Sequence, residues 1–358
     1  MLYAVIMAGG SGTRFWPWSR QKTPKQLLKI TGQETMIKQT VDRIIGEIPP
    51  ENIYVVTTST LAESIEEELS QIPAKNIISE PFGRNTAACI GLAATIISKR
   101  DSSAIMAVVT ADHIIEPTDL FLKSLKCAQE LATENSALIT FGIKPTSPSI
   151  NYGYIQRNEE VINRQDFLVY NVKCFTEKPD RVTAENFLKS GNYYWNSGIF
   201  VWSVKTILEN INTLMPDLYQ GLERIGKSIE TPDESSTIYR EYERFDNISI
   251  DYGIMEKASN VKIIEAGFTW DDVGSWLALE RLNNSDRNNN TILGKHCGLN
   301  AQGNIIIGDN EHLIATINVS DMIIVNTKDV TMVCNKNSAE DIKKLTELLK
   351  EKGFSDYL

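Results

Sequence analysis

Short apolar runs alternate along this chain with stretches whose apolar residues recur at helical spacing. That alternation predicts βα units around a largely parallel, buried sheet. Strands are predicted over residues 3–7, 53–57, 105–110, 138–142, 169–175 and 198–202, with helices near 35–48, 61–69, 86–99 and 119–133. A doubly wound α/β core of this kind binds its ligands outside the carboxyl ends of its strands. Beyond about residue 283 the pattern changes: Asn283, Asn284 and the run 288–290 make a polar, turn-rich stretch that reads as a linker. Short β-like pieces follow at 304–307, 313–317, 322–326 and 330–334, and a helix is predicted over 338–350. The expected organisation is one domain over 1–283 and a C-terminal β segment with a final helix over 284–358.

Composition narrows the class. At 358 residues, 42% hydrophobic and 23% charged, the chain reads as an ordinary soluble globular protein. Its net charge of -10 disfavours nucleic acid and anionic membranes as partners. The charge is uneven, however: residues 1–33 hold no Asp or Glu, while Arg14, Arg20, Lys22, Lys25 and Lys29 make a basic patch suited to a small polyanion. The opening apolar run has neither a basic lead nor a small-residue cleavage site, so no signal peptide or transmembrane helix is predicted. Cys89, Cys127, Cys174, Cys297 and Cys334 are odd in number and widely spaced, which argues against disulfides or a zinc site and for a reducing cytoplasm.

The first chemical motif, Gly9-Gly10-Ser11-Gly12-Thr13-Arg14, follows the first predicted strand, where a glycine turn can aim backbone N–H groups at phosphate oxygens. A plain βα turn competes with that reading. No Gly-Lys-Ser/Thr follows, so it is not a Walker A loop, and Phe15 stands where the dinucleotide fingerprint needs its third glycine. The continuation Phe15-Trp16-Pro17-Trp18-Ser19-Arg20 and Pro24-Lys25-Gln26 surrounds the turn with cations and rings. Arg14 and Lys25 are expected to grip phosphate, and Trp16 and Trp18 to pack the loop onto the core. Asp112 follows the predicted strand 105–110 directly and is placed either to hold a metal or to cap a turn or helix.

Residues 9–20 with 24–26 resemble the signature of bacterial mannose-1-phosphate guanylyltransferases. Segments 80–87, 111–113, 175–179, 196–198, 249–253 and 270–276 follow in that family's order. The resemblance implies a Rossmann-like nucleotidyltransferase core over 1–283 and a short left-handed β-helix beyond it. It implies GTP and mannose 1-phosphate as substrates, GDP-mannose and pyrophosphate as products, and a requirement for Mg²⁺. Such a reaction needs positioning and charge neutralisation, because the attacking phosphate monoester is already ionised near neutral pH. Consistently, His113, His296 and His312 are scattered and form no Ser/His/Asp set.

Arg14, Lys25, Asp112, Lys178 and Asp272 are the expected catalytic residues, with Asp112 and Asp272 holding Mg²⁺. Asp271 competes with Asp272 for that role, and either member of the pair can instead cap a helix near Gly274. The nucleotide is assigned to Ala8, Gly9, Gly10, Gly12, Thr13, Arg14, Lys25 and Asp112, with Glu80 accepting from guanine and Asn85 near the ribose or phosphate. The sugar phosphate is assigned to Gly153, Glu177, Lys178, Asn196 and Asp272. A strand exit at Glu80, a helix cap at Asn85 and an exposed charged turn at Glu177-Lys178 are the plain structural alternatives. Two rival functions stand beside the leading one: a nucleotidyltransferase pairing glucose 1-phosphate with dTTP or UTP, and a silent nucleotide-binding regulatory subunit. The C-terminal segment is expected to cover the site, to mediate a homodimer or to stabilise the core. With no room for the isomerase domain of some relatives, a single activity is expected.

Overall fold

The computed structural model describes residues 1–10, 12–164 and 166–358. The apolar runs become β1 (Leu2–Met7), β2 (Ile53–Thr58), β3 (Ile77–Glu80) and β4 (Ile105–Thr110), a parallel block in the order β3-β2-β1-β4. β1, β2 and β4 are buried along almost their whole length, as strands covered on both faces must be. Two short strands, β5 (Ile114–Glu116) and, much later, β11 (Thr269–Asp271), lie outside this sheet. The sheet itself continues through β6 (Leu138–Ile143), β7 (Tyr154–Arg164), β8 (Phe167–Thr176), β9 (Tyr193–Ser203) and β10 (Val261–Glu265) in the order β4-β9-β6-β10-β8-β7. β9 runs antiparallel to both β4 and β6, so the sheet is mixed. The apolar pattern predicts neither β3, β7 nor β10. β7 is exposed through its polar middle and carries little alternation, and β3 is only four residues long.

Helices α1 (Met36–Ile44), α2 (Ala62–Glu68), α3 (Asn85–Arg100) and α4 (Thr118–Asn135) lie where helical spacing places them. Four more follow: α5 (Arg181–Ser190), α6 (Val204–Leu214), α7 (Pro216–Ser228) and α8 (Glu234–Arg244). α3 is apolar nearly all round and buried from Ala87 to Ala94, the pattern of a core helix. Among the described residues no helix is long and apolar enough to cross a membrane.

The chain divides into two compact units. The first comprises Met1–Gly9, Thr40–Ala111 and Ile115–Trp270 and contains the nine-stranded sheet. Its core includes Trp202 stacked on Phe200 at 5.2 Å and the fully buried Tyr242.

The second unit comprises Gly10–Gln39, Asp112–Ile114 and Asp271–Leu358. It contains α9 (Ala278–Leu282), α10 (Ile342–Glu351) and six short strands, β12 (Thr291–Leu293), β13 (Lys295–Leu299), β14 (Ile305–Ile307), β15 (Leu313–Ile317), β16 (Met322–Asn326) and β17 (Thr331–Asn335). β12, β14 and β16 stack in parallel, as do β13 and β15, and β17 turns back antiparallel on β16. Buried asparagines tie the coils: Asn290 Oδ1 accepts from the backbone N–H and the side chain of Asn304, whose Oδ1 accepts from Met322 N. Ile305, Ile307, Ile323 and Val325 form one apolar cluster with Phe15, Trp16 and Trp276.

Candidate active site

In the second unit the glycine turn is built around Gly12. Its φ of 59° is left-handed, and a Cβ there would lie 2.5 Å from Lys25 Cβ and 2.7 Å from Lys25 N, so only glycine fits. Ser11 lies outside the described residues. A 3-10 turn over Thr13–Phe15 follows, and its aromatic continuation is packed rather than wet. Phe15 and Trp18 lie 5.0 and 5.8 Å from the buried ring of Trp276. Gly10 is exposed beside the turn, and Arg14 donates to the Gly274 carbonyl at 3.0 Å while remaining exposed.

Lys25 is only 6% exposed, and its ammonium is spoken for. It donates to Asp112 Oδ2 at 2.8 Å, to the Asp112 carbonyl at 3.0 Å and to the Asp272 carbonyl at 2.6 Å. Three N–H donors thus meet three acceptors, in a bracket that joins the Asp112 carboxylate and carbonyl to the Asp272 carbonyl. Burial pushes the Asp112 carboxyl up, but the Lys25 ammonium and neighbouring His113 outweigh it and hold the group below the usual aspartate value. Asp271 is engaged elsewhere: Arg281 forks onto both its oxygens at 2.7 and 2.9 Å, and Val273 N donates to one of them. Neither Asp271 nor Asp272 caps a helix, since α9 begins at Ala278 behind Leu277, and α4 is capped by Pro117 rather than Asp112.

Two further groups of predicted residues lie in the first unit. Ala8 and Gly9 close β1 there, Ala8 donating to the Val56 carbonyl at 2.8 Å. Glu80, the last residue of β3, is 4% exposed; its Oε1 accepts from Tyr242 O–H at 3.0 Å, and its Oε2 lies 3.7 Å from where a Cβ on Gly9 would stand. Burial raises the Glu80 carboxyl to about 7, and the tyrosine bond only partly opposes this. Asn85 opens α3 with a φ of 65° and is exposed, its Oδ1 accepting from Thr86 N. The preceding Arg84 donates to the carbonyls of Tyr242 and Glu243, which fixes the turn.

The other group gathers Gly153, Glu177, Lys178 and Asn196. Asn196 N donates to the Gly153 carbonyl at 2.8 Å, and a Cβ on Gly153 would stand 2.3 Å from Glu177 Oε2, in the space that carboxylate occupies. Lys178, with a φ of 47°, pairs with Glu177 Oε1 at 3.0 Å and stays 58% exposed. The motif at 249–253 adds a member to which sequence reasoning gave no role. Asp251 opens a single π-helical turn and accepts from Asn196 Nδ2 at 2.9 Å. Burial first, and then the Glu177 charge, raise its carboxyl to about 6. Glu256 Oε1, one turn on, accepts from Glu177 N. Only the family resemblance of segment 249–253 pointed to this stretch, because the π turn that aims Asp251 has no composition signature.

Residues 3–289 match the nucleotidyl transferase family, and 294–349 match the MannoseP isomerase/GMP-like beta-helix domain. A mannose-1-phosphate guanylyltransferase of Klebsiella pneumoniae is 36% identical over 360 residues, spanning all of this chain and 76% of the relative. The chain belongs to the mannose-1-phosphate guanylyltransferase family. An Escherichia coli member is likewise 36% identical over 360 residues, with the same coverage. A crystal structure of a protein described as mannose-1-phosphate geranyltransferase from Thermus thermophilus superposes with a TM-score of 0.87 at 29% identity, covering 98% of this chain and 99% of that one.

Nucleotidyl transferases of this family generally use a divalent metal. Among the described residues no group of three or more His, Cys, Asp or Glu side chains is placed to hold one. A hard cation such as Mg²⁺ takes one or two carboxylates and leaves its other positions to substrate phosphates and water. The Asp112 carboxylate is a third exposed and rests on the Lys25 ammonium, which Asp272 meets through its main-chain carbonyl.

Proposed function

We propose that this chain transfers GMP from GTP to mannose 1-phosphate, releasing pyrophosphate and GDP-mannose. The observation that carries the reading is the Lys25 bracket joining Asp112 and Asp272 beside the glycine loop and Arg14, in a member of this family. Ala8, Gly9, Gly10, Gly12 and Thr13 offer backbone to the triphosphate, and the exposed Arg14 guanidinium adds charge. Glu80 accepts from guanine, and Asn85 lies near the ribose or phosphate. Glu177, Asn196 and Gly153 hold the sugar, and Lys178 and Asp272 serve its phosphate. An oxygen of the acceptor phosphate bonds to the α-phosphorus as the α–β bridging P–O bond breaks and pyrophosphate leaves with the electron pair. No proton need be removed, because the acceptor is already ionised. Asp112 and Asp272 are the residues that would hold Mg²⁺, which when bound supplies charge neutralisation on the phosphates. In this reading residues 1–283 are the catalytic domain and 284–358 the C-terminal β segment, wound as a left-handed β-helix. The enzyme works in the cytoplasm without nucleic acid or membrane, and a homodimer is its expected assembly.

The test is pyrophosphate release from GTP with and without mannose 1-phosphate and Mg²⁺, run beside dTTP and UTP with glucose 1-phosphate. Sugar-dependent release with GTP is expected, together with its loss in Asp272→Asn. No dependence on mannose 1-phosphate overturns the reading, and near-normal Mg²⁺-dependent turnover in Asp272→Asn removes that residue from the metal set.

A further inference from the structure

Two residues of the loop motif, Trp16 and Arg20, are left without a part in the reaction. Both reach the 3-10 turn Ser355–Tyr357. Trp16 Nε1 donates to the Tyr357 carbonyl at 2.7 Å, and Arg20 Nη1 donates to the same oxygen. Arg20 also donates through Nε to the Pro17 carbonyl at 2.8 Å and through Nη2 to Asp329 Oδ1 at 2.8 Å, in the turn between β16 and β17. One carbonyl of the 3-10 turn Ser355–Tyr357 therefore receives two donors from the loop, one of them a charged fork.

These bonds act beside apolar packing, because Phe15 and Trp16 are themselves buried in the cluster with Trp276. A cavity of about 370 Å³ lies behind the loop, lined by Thr13, Ser19 and Gln21 on one side and by Lys343, Thr346 and Lys350 of α10 on the other. At the edge of that gap the polar contacts of Trp16 and Arg20 add a directional restraint to the apolar packing of Phe15 and Trp16 with Ile342. From Arg20 the restraint passes inward over few atoms. Ser19 Oγ donates to the Gly12 carbonyl at 2.7 Å, Gly12 abuts Lys25, and Lys25 holds Asp112 and Asp272.

We propose that the terminal turn Ser355–Tyr357 is a strap that fixes the glycine loop for the nucleotide, with Trp16 and Arg20 as its positioning residues. This rests on the reading of the loop as the triphosphate site. A loop already held in its binding shape spends less of its contact energy on ordering, so loosening the strap weakens GTP and not the sugar phosphate.

Trp16→Phe keeps an aromatic ring in the cluster but deletes the indole N–H with its five-membered ring, while Arg20→Gln removes the fork. Each is expected to raise KM for GTP about five- to tenfold, with kcat and KM for mannose 1-phosphate within about twofold of wild type. Asp329→Asn, which weakens one of the contacts of Arg20 and leaves Trp16 untouched, is expected to give a smaller shift in the same direction. Amide hydrogen exchange of the ligand-free proteins should quicken over residues 12–20 and remain unchanged in β1 and β4. An unchanged KM for GTP, an equal loss for both substrates, or unchanged exchange in the loop overturns the strap. Should Trp16→Phe fail to fold, Arg20→Gln and Asp329→Asn decide alone. If wild-type protein shows no turnover with GTP and mannose 1-phosphate, the functional reading falls, and the exchange measurement still decides the strap.

Discussion

A lysine with three bonded acceptors and a carboxylate with one tyrosine donor show how differently two buried charges are treated in this chain. Lys25 is compensated, its ammonium lying against an ionised aspartate and two carbonyls. Among the described residues Glu80 receives a side-chain bond from Tyr242 O–H, which only partly offsets burial, and its carboxyl rises from 4.5 to about 7. The sign of the resulting pH dependence follows directly. Below 4.5 the group is protonated whether folded or unfolded and costs nothing; as pH rises toward 7 the unfolded chain ionises it while the fold resists. Glu80→Gln should therefore match wild type in stability at pH 4 and exceed it at pH 8 by on the order of 3 kcal/mol, read from urea denaturation at both values. Equal stabilities at pH 8 would show that the carboxyl is not raised. Both residues are visible in the sequence as charged positions in motifs. Their opposite treatment is not, because the partners lie 87 and 162 residues away.

Among the elements, β6 sits between β9 and β10 and places part of the sugar-side group. Its register against β9 shifts between Thr140 and Gly142, which sets Gly142 opposite Asn196. A Cβ on Gly142 would stand 2.3 Å from Ile263 Cδ1 and 2.8 Å from Tyr194 Cβ, the latter fixed to the backbone and unable to swing away. Gly142→Ala is expected to lower stability by about 1–3 kcal/mol through overpacking. By displacing β9 it is also expected to raise KM for mannose 1-phosphate more than KM for GTP. A melting temperature equal to wild type would show that the strand yields without cost. The strands themselves were legible where burial on both faces made an apolar run, as in β1, β2 and β4. β7 was not, because its exposed middle carries the polar sequence Arg157-Asn158-Glu159-Glu160.

For the whole molecule, the grouping of segments matters more than their order. Phe15, Trp16 and Trp276 share one apolar cluster with Ile305, Ile307, Ile323 and Val325 of the β coils, inside the unit built from 10–39, 112–114 and 271–358. A chain cut at residue 283 keeps the loop and loses the coils that cover its rings. It is expected to bind an apolar dye such as ANS and to lose any melting shift caused by GTP with Mg²⁺; a cut chain that kept both a sharp melting transition and that shift would show that the coils are dispensable. By itself the sequence determined the βα character of the core, the glycine loop with its cations, the change of texture near 283 and the family, since each is written in contiguous residues whose spacing or type carries the signal. Tertiary structure alone decided that the Lys25 ammonium meets the Asp112 carboxylate and the Asp272 carbonyl, that Asp271 is taken by Arg281, and that Asp251 joins Asn196. These outcomes depend on which distant side chain reaches a given hydrogen-bonding atom first. That competition is settled by packing across tens to hundreds of residues, and no local pattern records it.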